Sequence, residues 1–278
     1  MEFLLRDDAP FTREQWEKID STLINSARQV LVGRRFIKIY GPLGAGVQSI
    51  NIDDFGTVEP GNADFLGDAD DRPVKTVGRR FVEIPMVYKD LQLSWRDLEK
   101  SRQLGLPLEL SPVAGAAAIC AEKEDKLIFL GDTSQGYEGL LTATGVQTIA
   151  RSDWREGENA FQDIAKGIES LIAKGYLGKF VLTVSPNLYM QLQRIQPGTG
   201  LLELDRVRSL VNGNLYQSAV LGSDKAVLVC AEPQNIDLVI GQDMVAAYLG
   251  SEKLNHSLRI LETILLRIKR KEAIVVFQ

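Results

Sequence analysis

One segment of the chain cannot fold on its own. Residues 51–71 hold seven acidic residues and neither lysine nor arginine, and their few apolar residues are scattered. Such a composition buries too little apolar surface to offset the entropy lost on ordering the chain. Strand-like alternation returns from Arg79 to Leu93. Two interpretations stay open: a surface hairpin on its own subunit, or a β-arm that reaches away from its core and lies on a neighbouring subunit.

The chain as a whole has the composition of an ordinary folded protein. Its 278 residues are 45% hydrophobic and 25% charged, which allows one large or two modest domains. The net charge of −5 argues against a general nucleic-acid binder, which would carry a basic face. No apolar run approaches the roughly 18 residues of a membrane span, and the N-terminus lacks the pattern of a signal peptide. Cys120 and Cys230 lie far apart in the sequence, and each has apolar neighbours. We therefore expect both to be buried thiols, and their pattern indicates a reducing cytoplasm.

Hydrophobic periodicity predicts a mixed helix and strand chain. The first helix runs from Arg13 to Val32, with a capping box at Thr12 and Gln15 and an end at Gly33. Further helices are predicted at Trp95–Leu104, at Ser111–Leu130, around Phe161–Gly175, at Ser185–Ile195 and at Leu201–Val211. Strands are predicted at Arg34–Tyr40, Phe180–Val184, Gln217–Leu221, Ala226–Ala231, Ile236–Ile240, Leu258–Ile268 and Ala273–Phe277.

Motifs that would carry catalysis are missing or incomplete. The turn at Gly41–Gly46 lacks the Gly-Lys-Ser/Thr ending of a phosphate loop. His256, the single histidine, has no second ligand at helical spacing. The acids Glu122, Glu124 and Asp125 lie beside lysines on the long helix from Ser111, so we interpret them as its solvated or salt-bridged face rather than as a metal box. The residues predict neither a catalytic set nor a metal site, and a subunit of an assembly suits them better than an enzyme does.

A basic cluster lies between the last two predicted strands. It comprises Arg267, Lys269, Arg270 and Lys271. Two interpretations are open: a solvated sheet edge, or a patch that faces an acidic or nucleic-acid partner.

A series of short motifs occurs in a particular order along nearly the whole chain, from residue 1 to about 276. They include Met1–Leu4, Trp16–Asp20, Val32–Phe36, Tyr40–Gln48, Trp95–Glu99, Glu124–Phe129, Tyr137–Leu140 and Ala247–Gly250. In this order they resemble the encapsulin shell proteins, the linocin-like bacteriocin family.

The resemblance implies an α+β chain with the fold of the tailed-phage major capsid proteins, the HK97-like fold. It implies five parts: the N-terminal helix and first peripheral-domain strand at 1–46, the extended β-arm or E-loop at 47–93, the peripheral domain with its spine helix at 94–139, the axial domain at 140–221, and the strands that return to the peripheral domain at 222–278.

The function that the resemblance implies is structural. Encapsulins self-assemble, as 60 or more copies, into closed icosahedral nanocompartments in the bacterial or archaeal cytoplasm. They enclose a cargo enzyme, most often a ferritin-like iron oxidase or a peroxidase, which they capture through a C-terminal targeting peptide. The alternatives are a phage or prophage major capsid protein that packages DNA, and a hydrolase or protease, which the missing catalytic set disfavours.

The same resemblance implies three sites. The cargo-peptide groove would comprise Leu23, Ala27, Arg34, Phe36, Ile37 and Ile39. A pore loop would comprise Gln196, Pro197, Gly198, Thr199 and Gly200. Trp95 takes the place of an aromatic residue that contacts a flavin in some encapsulins, although no cofactor is otherwise implied. For Phe36, Ile37 and Trp95, a plain packing role is the alternative.

Overall fold

A computed structural model describes residues 2–55, 61–66, 73–196 and 200–278, and the elements within these ranges form a mixed α+β fold, as predicted. The helices are α1 (Arg13–Val30), α2 (Trp95–Leu104), α3 (Ser111–Phe129), α4 (Asn159–Ala173), α5 (Pro186–Gln191) and α6 (Glu203–Leu210). The strands are β1 (Ile39–Tyr40), β2 (Ser49–Phe55), β3 (Thr76–Glu83), β4 (Met86–Leu93), β5 (Gly131–Asp132), β6 (Tyr137–Glu138), β7 (Gln147–Ile149), β8 (Phe180–Val184), β9 (Leu215–Gln217), β10 (Ala226–Cys230), β11 (Ile236–Glu252), β12 (Asn255–Ile268) and β13 (Ile274–Phe277).

A four-stranded sheet forms one half of the molecule, with strand order β1-β11-β12-β4. Its centre is the long antiparallel pair β11 and β12. Helices α1 and α3 pack on each other and on this sheet. The buried side chains between them include Ile19, Leu23, Leu98, Ala117, Cys120 and Leu258. Because α1 buries only one stripe, its opposite side is left free.

A five-stranded sheet forms the other half, with strand order β7-β13-β10-β8-β9. Its core includes Trp154 and Ile164, together with Leu182, Leu228 and Phe277 of the strands. A second core joins the two sheets, and it contains Phe36, Ile128, Val229, Ile240, Ile264 and Val276. The two sheets are therefore connected by continuous apolar packing.

Strands β2 and β3 form a separate two-stranded sheet, which we call the arm (Ser49–Glu83). The pairing runs from Ser49 opposite Glu83 out to Phe55 opposite Thr76. Strand β4, which also falls in the range 47–93, pairs with β12 in the four-stranded sheet. The hairpin expected in this region therefore consists of β2 and β3, and β4 anchors its return to the body.

Local signals predicted several elements well. Thr12 and Gln15 form the predicted capping box, with Thr12 Oγ1 accepting from the Gln15 N–H at 3.2 Å and Gln15 Oε1 accepting from the Thr12 N–H at 2.9 Å. The helix Trp95–Leu104 and the strand Phe180–Val184 have the predicted bounds. The first helix ends at Val30, before Gly33. Gly33 instead permits close packing, because a Cβ there would lie 2.5 Å from Ile128 Cδ1.

Several predicted elements were wrong in part. The strand predicted at Ile236–Ile240 extends as β11 to Glu252. The strand Arg34–Tyr40 is a 3-10 turn at Gly33–Arg35 followed by the two-residue β1, because Asp125 of α3 accepts hydrogen bonds from the Val32 and Gly33 N–H groups and holds the turn. The helix Ser185–Ile195 is confined to Pro186–Gln191. The strand Gln217–Leu221 lies at Leu215–Gln217, and a 3-10 turn follows it.

Within the described ranges, no helix combines the length and the apolar character that crossing a membrane requires.

Candidate functional site

A groove of about 500 Å³ lies between α1 and the edge of the four-stranded sheet. One wall is the side of α1 next to its buried stripe, where Leu23 and Ala27 are buried and Ile24 is 44% exposed. Another wall carries Ile39 of the edge strand β1, which is 41% exposed. The full lining is Leu23, Ile24, Ala27, Arg28, Leu31, Arg34, Arg35, Ile39, Asp243 and Met244.

An irregularity in β11 supplies the sheet side of the groove. The pairing of β11 with β12 shifts register twice here, between Ile240 and Gln242 and again between Gln242 and Val245. The Gln242 N–H donates to Oγ1 of Thr263, its partner residue on β12, at 2.7 Å. Such bulges re-aim side chains, and here Asp243 and Met244 line the groove.

The structure brings together four of the six residues expected in the cargo-peptide groove. Leu23, Ala27, Arg34 and Ile39 all line it. Phe36 and Ile37 belong instead to the core between the two sheets, where their side chains are 5% and 3% exposed. The ring of Phe36 stacks on that of Tyr216 with centroids 5.8 Å apart. The packing alternative therefore holds for these two residues, which do not line the groove.

Arg34 connects the groove to the interior. Its Nε and Nη2 donate to the two carboxylate oxygens of Glu124 at 2.7 and 2.8 Å. Nη2 also donates to Glu262 at 2.8 Å, and Nη1 donates to Asp243 at 2.7 Å. Both glutamates are completely buried, whereas the Asp243 side chain is 60% exposed. One guanidinium therefore compensates two buried carboxyl groups and holds one carboxylate of the groove wall.

Burial dominates the electrostatics beneath the groove. Burial and the nearby Glu124 raise the pKa of Glu262 well above its usual range. Burial also raises the pKa of Asp125 to about 6, although hydrogen bonds from the Gly33 and Val32 N–H groups oppose the rise. The environment beneath the groove thus favours the protonated forms of Glu262 and Asp125 more than water does.

The burial of Glu124 was not predicted from the sequence, because a charged residue on a helix usually faces solvent. Glu124 and Asp125 are salt-bridged or hydrogen-bonded, as one interpretation held, but they are not solvated, whereas Glu122 is exposed. The signal was present in the spacing: Glu124 follows the buried Cys120 by four residues, so it continues the buried side of α3. Asp243, Met244, Arg28 and Arg35 carried no such signal.

Trp95 begins α2 and is 40% exposed. It lines an open surface pocket of about 760 Å³ whose wall includes Leu254 and His256. The guanidinium of Arg96 lies 5.9 Å from the centre of its indole ring. An exposed indole with a cation beside it offers a surface on which a planar aromatic group could stack.

Two residues of the expected pore loop are described, and they flank its tip. Gln196 is buried, and its N–H donates to the Leu201 carbonyl at 2.8 Å. Gly200 adopts a positive φ of 69°. Pro197, Gly198 and Thr199 lie outside the described residues.

Metal-ligating groups and reactive thiols are two features that could serve catalysis among the described residues. Among them, no group of three histidine, cysteine, aspartate or glutamate side chains could hold a metal ion. Cys120 and Cys230 are free thiols and buried, and burial raises the pKa of Cys120 to about 12. A thiol in that state is a poor nucleophile at neutral pH.

Comparison with known proteins decides the family. The profile of a family described as "encapsulating protein for peroxidase" matches residues 1–265. A type 1 encapsulin shell protein of Myxococcus xanthus, EncA, is 45% identical over 98% of this chain and 95% of its own length. This chain belongs to the encapsulin shell-protein family. The resemblance inferred from the ordered motifs is thereby confirmed.

One more relative supports the family, and two solved structures share the fold. A diheme-cytochrome-encapsulin shell fusion protein of Kuenenia stuttgartiensis is 38% identical over 94% of the chain and 72% of its own length. A virus-like particle from Pyrococcus furiosus has a TM-score of 0.78 at 21% identity, over 95% of this chain and all of that one. The capsid of the Myoviridae phage XM1 has a TM-score of 0.61 at 15% identity, over 88% of this chain and 90% of that one. The fold shared with phage capsids, predicted from the sequence, is confirmed.

Proposed function

We propose that this encapsulin assembles with copies of itself into a closed shell of 60 or more subunits that encloses a cargo protein in the cytoplasm. The subunit itself has a structural role and no catalysis. Small solutes enter through pores to which the turn Gln196–Gly200 contributes.

The exposed apolar surface of the arm carries the proposal. On β3, Val77 and Phe81 are 60% and 74% exposed, although both are hydrophobic residues of a strand. Phe65 and Leu66, in the described part of the connection, are almost fully exposed. Apolar patches of this kind mark protein interfaces. A second copy of the chain is the occupant that symmetry makes available, because heterologous contacts that close into rings bury the same patch on every subunit.

The groove along α1 supports capture of a cargo peptide. Its apolar lining provides the partly enclosed surface that a short peptide needs for side-chain anchors. The exposed Ile39 is central to this proposal, since an isoleucine at an open sheet edge gains stability when covered. The cargo would be redox-active or iron-handling, in keeping with relatives that are named as fusions to a diheme cytochrome and to a ferritin-like protein.

A flavin contact at Trp95 also stays a proposal. The exposed indole suits stacking on an isoalloxazine ring, and Arg96 and Lys100 of the same pocket suit the phosphate. A bound flavin would supply electron transfer at the shell surface.

The test is the size of the purified protein. Size-exclusion chromatography and negative-stain microscopy should reveal closed, regular particles instead of the 30.8 kDa monomer. A monomer or dimer would overturn the proposal. Particles that retain nucleic acid of genome length after nuclease treatment would favour the phage-capsid alternative.

A further inference from the structure

The arm joins the body of the subunit at a junction built around one arginine of β12. The Nε and Nη2 groups of Arg267 donate to the two carboxylate oxygens of Asp237 on β11, at 2.8 and 2.6 Å. Its third nitrogen, Nη1, donates to the backbone carbonyl of Asn51 on β2 at 3.3 Å. The guanidinium lies 4.6 Å from the ring centre of Tyr40 on β1. Arg267 therefore contacts three other strands, one of which belongs to the arm.

The charges around Arg267 continue into the arm. Asp53 lies two residues beyond Asn51, accepts from the Asn51 side chain at 2.9 Å, and accepts two bonds from Arg79 of β3 at 2.7 and 2.9 Å. Arg79, with a smaller contribution from Arg267, holds the pKa of Asp53 at about 2. The Asp53 carboxylate is thus close to one cation of the arm, Arg79, and is also influenced by one cation of the body, Arg267.

Apolar packing holds the base of the arm at the same junction. A cluster of buried Ile84, Val239 and Leu265 packs with partly buried residues of the arm, of the segment that precedes it and of β6. These partly buried residues are Leu43, Val47, Ile50, Val82 and Tyr137. Apolar contacts are not directional, so they add little to the angle of the arm. Backbone hydrogen bonds hold its two connections, from Leu43 and Gly44 to β11 and from Ile264 to the Pro85 carbonyl. The fork of Arg267 adds a directional side-chain contact with β2 itself, because its donors lie in one plane.

We propose that Arg267 is the residue that sets the angle of the arm relative to the body, and thereby the curvature with which neighbouring subunits join. This inference depends on the proposed assembly into a shell. The Asn51 carbonyl is held by a guanidinium whose orientation is itself fixed by Asp237 and by the ring of Tyr40. A change in that orientation moves the whole hairpin, since β2 and β3 are one hydrogen-bonded unit. In a closed shell, a change of angle at every subunit alters the diameter.

The chain offers a control on the same strand, Arg259, whose side chain is 31% exposed against 10% for Arg267. Arg259 of β12 also makes a two-pronged pair, with Asp90 at 2.6 and 2.8 Å, and it lies 4.2 Å from the ring centre of Tyr88. Its partners are on β4, in the body, and none of its hydrogen bonds reaches the arm. Arg267→Lys and Arg259→Lys therefore remove the same kind of fork and ring contact, while only the first affects the arm.

The experiment measures particle diameters by electron microscopy and native mass spectrometry. We expect Arg267→Lys to shift or broaden the diameter distribution or to increase the unassembled fraction, and Arg259→Lys to match the wild type. Tyr40→Leu, at a position 47% exposed and therefore tolerant in folding, should shift the distribution in the same direction. Wild-type diameter and yield from both Arg267→Lys and Tyr40→Leu would overturn the inference. Failure of the wild-type chain to form any shell would instead overturn the proposed function.

Discussion

Arg34 and Glu124 form a two-pronged ion pair, 2.7 and 2.8 Å long, across the floor of the groove. The glutamate is completely buried, whereas the Arg34 side chain keeps 15% of its surface accessible. The groove and the interior of the subunit are thus joined by one side chain. Its removal should therefore affect both stability and the shape of the groove.

Replacing Arg34 by methionine should destabilise the protein strongly. The change leaves the buried Glu124 without its cation, which costs about 3–5 kcal/mol in the free energy of unfolding. Chemical unfolding of the purified variant measures this loss. Arg13→Met is the control, because Arg13 forms an exposed pair with Glu17 that contributes little. Equal stabilities for Arg34→Met and Arg13→Met would contradict the role of Arg34.

The titration of Asp125 should make stability fall as the pH rises. Burial raises the pKa of this carboxyl from 3.8 to about 6, so the folded state holds a proton that the unfolded state has lost. The contribution is fully present below about pH 4 and disappears as the pH rises towards 6, with a size of about 1–3 kcal/mol. The measurement is the unfolding free energy of the wild type minus that of Asp125→Asn at pH 4, 5 and 6.

A carboxylate with the opposite shift provides the control for Asp125. Hydrogen bonds from Ser134 and Lys123 lower the pKa of Asp132, so its contribution to stability is lost only as the pH falls below about 4. The difference between wild type and Asp132→Asn should therefore stay nearly constant from pH 4 to 6, whereas the difference for Asp125→Asn falls. A wild-type minus Asp125→Asn difference that stays constant from pH 4 to 6 would contradict the buried titration.

Introducing a charge at Ile39 should abolish cargo loading and leave the shell intact. An aspartate there would replace an apolar anchor of the groove wall with a carboxylate. Covering that carboxylate with an apolar peptide side chain carries a penalty of about 1.4 kcal/mol or more, which lowers binding at least tenfold. The measurement is the amount of co-expressed, peptide-tagged cargo per shell after purification. Leu254→Asp, at an exposed turn outside the groove, is the control. Unchanged loading in Ile39→Asp would exclude this groove as the peptide site.

Altering the arm should block assembly without unfolding the subunit. Deletion of residues 58–72 should yield soluble subunits and no closed shells. Phe81→Asp should do the same, because the exposed ring of Phe81 makes the apolar surface that a neighbouring copy would cover. Phe81→Leu keeps that surface apolar and should still assemble. Circular dichroism checks the fold, and intact shells from both the deletion and Phe81→Asp would refute the assignment of the arm.

The elements that could be predicted from the sequence depend on neighbours within one or two turns. The capping box of Thr12 and Gln15 and the bounds of α2 follow from side chains that contact their own helix. The strand Phe180–Val184 is a short apolar run that is buried on both faces. The order of motifs also identified the family, because it needs no spatial information.

The groove could be predicted only in part, since contacts between distant segments shape it. Asp125, 92 residues beyond Gly33, turns the expected strand into a 3-10 turn, and this places Phe36 in the core. The register shift in β11 brings in Asp243 and Met244. The sequence by itself determined the family, the local elements and the stripes that they bury. Only the tertiary structure decided which side chains meet at the groove and at the base of the arm, because those contacts depend on sheet register and on buried charge pairs between residues far apart in the chain.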